Sequence, residues 1–174
     1  MTVEKYQELS MRTFKKLNSE FEEVSHMVLG LISEQNELSD ALAVEDETNI
    51  KEELGDKLWY LSNLANIFCV KLDINFEPSE KNRVLSRIYS DLADKIKRRY
   101  VYGTKDDTYI VYDINCIFRA IIDIIVFLYG QDMEILENIF KTNIKKLMIR
   151  YPEKYSDELA LNRNLSEELK QLKN

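Results

Sequence analysis

Apolar residues return along this chain every three or four positions, the spacing of one face of an α-helix. The clearest stripe is Leu54, Leu58, Leu61, Ala65, Phe68 and Leu72, with Glu53, Asp56, Tyr60 and Asn63 on the polar stripe beside it. An earlier segment sets Val24, Val28, Leu31, Leu38 and Leu42 against a second line of Gly30, Glu34, Glu37 and Ala41. Local signals divide this pattern into helices. A first amphipathic helix is predicted over 3–17. A second is opened by Ser19, with Glu22 three residues on in the manner of a capping box, and runs to about Val44. A third starts at Asp46-Glu47-Thr48 and runs to about Leu72. A fourth is capped by Ser79 and reaches about Tyr100. Tyr102 to Lys105 form a turn into a strongly apolar fifth helix that ends at Gly130, a C-cap glycine. A sixth covers 131–151 and is stopped by Pro152, and a short last helix lies near 165–172.

Composition strengthens the all-α reading. The chain has 174 residues, 45% hydrophobic and 32% charged, with only 4 Gly and 2 Pro, too few turn-formers for a many-stranded fold. That length fits a single domain spanning 1–174, its four long helices bundled and the first and last packed outside. A net charge of −7 argues against a nucleic-acid partner. The basic runs Lys95 to Arg99 and Lys145-Lys146 leave room for a small phosphorylated ligand, although positive charge at a helix end is favourable by itself. Cys69 and Cys116 lie in apolar runs without CxxC spacing, as buried thiols of a reducing cytoplasm do. The polar start MTVEKYQELS is no signal peptide. The apolar run 117–128 is interrupted by Arg119 and Asp123 and is too short to span a bilayer, so no membrane partner is expected.

Candidate chemistry resides in four carboxylates. Glu34 and Glu37, then Glu53 and Asp56, are each spaced i, i+3, one helical turn apart on one face. Like charges so placed repel by about 0.2–0.5 kcal/mol per pair, a cost that a shared cation removes. Oxygen ligands without sulfur or clustered imidazole suit a hard ion, Mg2+ or Mn2+. The 15 residues between Glu37 and Glu53 form a short connection that brings the two pairs face to face. Tyr60 and Asn63 extend the acidic stripe toward a substrate, and Trp59 and Tyr60 offer planes for a base. His26 lies about three turns before Glu37 on the same side; as a lone histidine beside a core stripe, it reads equally as a satisfied structural residue. Asn143, Lys146 and Arg150 share one face of the sixth helix, where Lys and Arg donate to phosphate oxygens or simply form a solvated basic end. A faint repeat aligns Glu37–Leu42 with Asp91–Ile96. It predicts a hairpin at 19–73 that carries the acids and a degenerate second hairpin at 79–130, in which Tyr112 and Asn115 replace Glu53 and Asp56.

The strings GLISEQNEL, EELGDKLWYLSNLANIF and NIKKLMIRYPEKY, in that order, closely resemble the MazG-like nucleoside triphosphate pyrophosphohydrolases, all-α relatives of the dimeric dUTPases. The resemblance covers roughly 24–72 and 138–155. It implies a four-helix-bundle core with flanking helices and Mg2+ held by Glu34, Glu37, Glu53 and Asp56, which also make up the catalytic set. It further implies that Asn143, Lys146 and Arg150 belong to the substrate site. The implied reaction cleaves a nucleoside or deoxynucleoside triphosphate between its α- and β-phosphates, giving a monophosphate and pyrophosphate. A homodimer or homotetramer is expected. About 65 residues separate the LWYL helix from the N-x-x-K segment, where compact relatives have few; the second hairpin fills that gap. Two other readings compete. One is a related pyrophosphohydrolase acting on another nucleotide, such as phosphoribosyl-ATP; the other is a non-catalytic helical interaction module.

Overall fold

The computed structural model describes residues 1–79, 84–162 and 164–172, and among these the regular structure is eight α-helices and one 3-10 turn. In order they are α1 (Val3–Ser10), α2 (Glu20–Ala43), α3 (Glu47–Ile67), α4 (Leu85–Tyr102), α5 (Thr108–Tyr129), α6 (Met133–Arg150), α7 (Asp157–Leu161) and α8 (Leu165–Leu172). No strand occurs among the described residues, so the fold is all-α.

Side chains fix the helix ends. Ser19 accepts from the Glu22 amide at 3.2 Å, and Glu22 Oε2 accepts from the Asn18 amide at 3.0 Å, so the expected reciprocal cap reaches one residue further out than predicted. Asp46 caps α3 by accepting from the Asn49 amide. Three expected boundaries move. α1 stops at Ser10 instead of 17, because the Trp59 indole donates to the Ser10 carbonyl at 3.2 Å and to Thr13 Oγ1 at 3.0 Å, holding the chain in a 3-10 turn over Met11–Thr13. α3 stops at Ile67, not near Leu72. Cys69 there takes a left-handed φ of 54°, and the Val70 amide folds back onto the Ala65 carbonyl at 2.8 Å. Gln7 of α1 holds the chain that follows, donating to the Val70 carbonyl and accepting from the Leu72 amide. α4 begins at Leu85, not at a Ser79 cap. Ser79 meets the Tyr112 hydroxyl instead, and the rest of that predicted stretch, 80–83, lies outside the described residues. α7, capped by Ser156, has no counterpart in the expectations.

Successive helices α2–α3 and α4–α5 form two hairpins. α3 is the central element, packing on α1, α2, α5 and α6, while α4 also touches α2 and α8 rests on α6. The expected stripe of α3 is buried at Leu54, Leu58, Leu61 and Ala65, as is that of α2 at Val24, Val28, Leu31 and Leu38; Leu42, however, is exposed. α1 and α6 are not peripheral, since Tyr6 and Phe140 lie inside the core and stack with ring centres 4.2 Å apart. α5 buries one face through Ile114, Ile117, Ile121 and Ile125 and leaves Phe127 on the surface, so it is not buried all round. The basic run on α4 is neutralised locally. Lys95 pairs with Asp113, Lys97 and Arg98 with Asp94, and Arg99 with Glu20 and Asp107. No described helix is long and apolar enough to cross a membrane.

Candidate active site

Two glycines let the helices come close enough to build the site. Gly30 on α2 lies under the ring of Tyr60, where an added Cβ would stand 2.2 Å from the nearest ring carbon. Gly55 on α3 faces Asn143, whose Cβ would be 3.0 Å from such an atom, so α6 packs almost backbone-to-helix at this level. The motif residues around Gly55 are thereby tied together. The Tyr6 hydroxyl donates to Asn143 Oδ1 at 2.8 Å, with the Gly55 carbonyl at 3.1 Å. Asn143 Nδ2 donates to Asp56 Oδ1 at 2.7 Å.

Where the α2–α3 hairpin meets α6, a cavity of about 360 Å³ is lined by Glu34, Glu37, Glu52, Glu53 and Asp56. One carboxylate oxygen from each of Glu34, Glu37 and Glu53 falls within 4.8 Å of the others. Burial, then a proton shared with Glu53 and the charges around it, raises the Glu34 carboxyl to about 9. Burial also raises Glu53, to about 7, against the lowering effect of its hydrogen bond to Glu34. The protein thus forces like charges together out of water, as sites that gather a cation do. All the donors are carboxylate oxygens, the ligand type that suits a hard divalent ion.

Asp56 lines the same cavity outside that trio. Its carboxylate is held by the buried Lys146 ammonium at 2.5 and 2.6 Å, and Lys146 also reaches Glu52 at 3.1 Å. Asn143 and Lys146 therefore stand behind the acids instead of lining the space, and at 3 % and 1 % exposure they are far from the solvated end that was the bland reading. Arg150 does line it, with a forked pair to Glu168 at 3.1 and 2.5 Å. Tyr60 and His26 line it too, with ring centres 5.8 Å apart. Burial lowers the His26 pKa, as does Lys15, and its Nδ1 is buried without a hydrogen-bond partner. Asn63, like Asn143 and Lys146, does not line the space that it was expected to face. It is fully buried, donates Nδ2 to the Trp59 carbonyl at 2.9 Å and does not reach the cavity, because its position one turn beyond Tyr60 lies inside the helix packing.

The sequence reading missed several neighbours. Thr13 and Lys15 enter from the N-terminal arm, Tyr155 and Ala160 from beyond α6. Lys57 was missed as well. It is wholly buried beside Asp56 in sequence, donates to Gln35 and to the Tyr89 hydroxyl at 3.0 Å, and burial lowers its pKa to about 7. A lysine next to the Leu54–Leu58–Leu61 stripe was the one sequence signal for that position.

Residues 22–101 match the family model described as the MazG nucleotide pyrophosphohydrolase domain. The matched span covers α3 and nearly all of α2 and α4, hence all four acids, and the all-helical fold agrees with it. No curated protein and no solved structure matches the chain.

Proposed function

We infer that this chain, MazG-like across residues 22–101, hydrolyses a nucleoside or deoxynucleoside triphosphate to the monophosphate and pyrophosphate with the help of Mg2+ or Mn2+. The observation that carries the reading is the convergence of Glu34, Glu37 and Glu53 on the wall of a cavity large enough for a ligand. These three residues would hold the ion, with Asp56 beside them. When bound, it supplies Lewis-acid neutralisation of phosphate oxygens and acidifies water. Lys146 and Asn143 act indirectly, fixing the Asp56 carboxylate from the side away from the cavity. Arg150 reaches the cavity with a planar, permanently charged fork suited to a phosphate, and Glu168 presets its plane. Water attacks the α-phosphorus and gives its proton to a carboxylate of the cluster; the bond to the bridging oxygen breaks and pyrophosphate leaves in line.

The test is a panel of nucleotides that includes phosphoribosyl-ATP, scored separately for pyrophosphate and orthophosphate, with Mn2+ titrated calorimetrically in parallel. Pyrophosphate release and ion binding are expected in the wild type. Glu53→Gln should weaken the ion and lower turnover by about 100-fold or more. Release of orthophosphate alone, or ion binding indifferent to Glu53→Gln, refutes the assignment.

A further inference from the structure

The family match begins at residue 22, yet a side chain of α1 is wired to one of the acids. Tyr6 is buried at 1 % exposure, its ring held against Phe140 of α6 with centres 4.2 Å apart and planes 17° from parallel. That stack sets the hydroxyl where α6 closes on Gly55 of α3, between the Gly55 carbonyl and Asn143. The direction of each hydrogen bond follows from Asp56. Its carboxylate, held by the Lys146 ammonium, only accepts, so Asn143 turns Nδ2 to it at 2.7 Å and is left with Oδ1 facing α1. Tyr6 must then donate, and its 2.8 Å bond to Oδ1 is the shorter of the two contacts, the Gly55 carbonyl standing at 3.1 Å. Burial first, and the Asp56 charge second, raise the Tyr6 pKa well above its ordinary value, so the phenol keeps the proton that it donates. A phenol that needed only a partner for itself would find one in the Gly55 carbonyl; the bond to Oδ1 constrains Asn143 as well. Without it, the amide is free to turn over and set an oxygen against the carboxylate.

Resting on the triphosphate reading above, we propose that Tyr6 is a positioning residue for that reaction: through Asn143 it holds the Asp56 carboxylate in place beside Glu34, Glu37 and Glu53. α1 then belongs to the working site although none of its residues lines the cavity. Partners that stand behind the acids of an ion site are worth about 10–100-fold in ion affinity or activity.

The experiment compares wild type, Tyr6→Phe, Asn143→Ala, the double variant of those two, and Gln7→Ala. Each is measured for metal-free Tm, calorimetric Mn2+ binding, and kcat and KM at saturating Mn2+. Tyr6→Phe keeps the ring and its stack, so it is expected to fold. It should bind Mn2+ and turn over about tenfold less well, with KM within about twofold of wild type because Tyr6 does not line the cavity. Gln7→Ala is the structural control. It removes the side-chain bonds from α1 to Asn66, Val70 and Leu72 and leaves those of Tyr6 intact. It should lower Tm at least as much as Tyr6→Phe while Mn2+ affinity and kcat stay within about twofold of wild type. In the Asn143→Ala background, Tyr6→Phe should cost less than about twofold more, since the route to Asp56 is already cut. The inference is overturned if Tyr6→Phe matches wild type in Mn2+ affinity and kcat, if Gln7→Ala is as impaired as Tyr6→Phe, or if the two losses multiply in full in the double variant. Failure of the triphosphate reading looks different: the wild type itself would release no pyrophosphate from any nucleotide, whatever Tyr6→Phe does to Mn2+ binding.

Discussion

Burial raises the carboxyls of both Glu34 and Glu53, and this makes their contribution to stability pH-dependent. A carboxyl raised in the folded state binds more protons there than in the unfolded chain. Its stabilising effect is complete below the unfolded value near 4.5 and is lost as pH rises through about 7 for Glu53 and about 9 for Glu34. Lys57 runs the other way. Burial lowers its pKa, so stability recovers as pH rises from about 7 toward its ordinary value of 10.5. The two trends overlap, and a single melting curve would mix them. The difference between wild type and Glu34→Gln reports the Glu34 carboxyl together with its effect on Glu53 and Lys57, since glutamine does not titrate. Without divalent ions, the Tm of Glu34→Gln is expected to gain on that of the wild type between pH 5 and 9, and saturating Mn2+ to reverse the trend by stabilising only the wild type. A difference that is flat with pH would show that Glu34 ionises normally.

Gly30 sets the approach of α2 to α3 and Gly55 that of α6 to α3. An alanine at Gly55 meets the Cβ of Asn143, which cannot withdraw unless α6 moves. An alanine at Gly30 meets the ring of Tyr60, the far end of a half-buried side chain at the cavity wall. Alanine gains about 1 kcal/mol over glycine in a helix interior, while overpacking costs about 1–3 kcal/mol when nothing can give. Displacing that ring would relieve the overpacking. Gly30→Ala is therefore expected to shift Tm by no more than about 4 °C, roughly 1 kcal/mol for a chain of this size, but to raise KM several-fold because Tyr60 leaves the cavity wall. Thermal melts and steady-state kinetics on the same preparation check both halves. A large Tm loss with normal KM would mean that the ring stays and the helices part.

At the scale of the molecule, α3 is enclosed by four other helices, whereas α7 has no buried residue. Hydrogen exchange should follow that arrangement. Amides of Leu58 to Leu64 are expected to exchange only through global unfolding, and those of α7 through local opening, orders of magnitude faster. Equal rates in the two would mean that α3 is not the structural axis. The hydrogen bonds of Arg12 to the Tyr151, Pro152 and Glu153 carbonyls and the Lys15–Asp157 pair join segments more than 130 residues apart, so the cavity is complete only when both segments are in place.

Sequence by itself determined the helix class, most boundaries and the acids, because both core burial and the i, i+3 pairing of carboxylates are periodic within one segment. It also located Gly130 as a stop and Ser19 as a start, since caps are local. Only tertiary structure decided that Asp56 pairs with Lys146 apart from the glutamate trio, that Asn63 is sealed from the cavity, that α1 breaks at Ser10, and that Lys15 and Tyr155 face the site. Each of those depends on a partner from a distant segment, and no periodicity within one helix encodes what another helix brings against it.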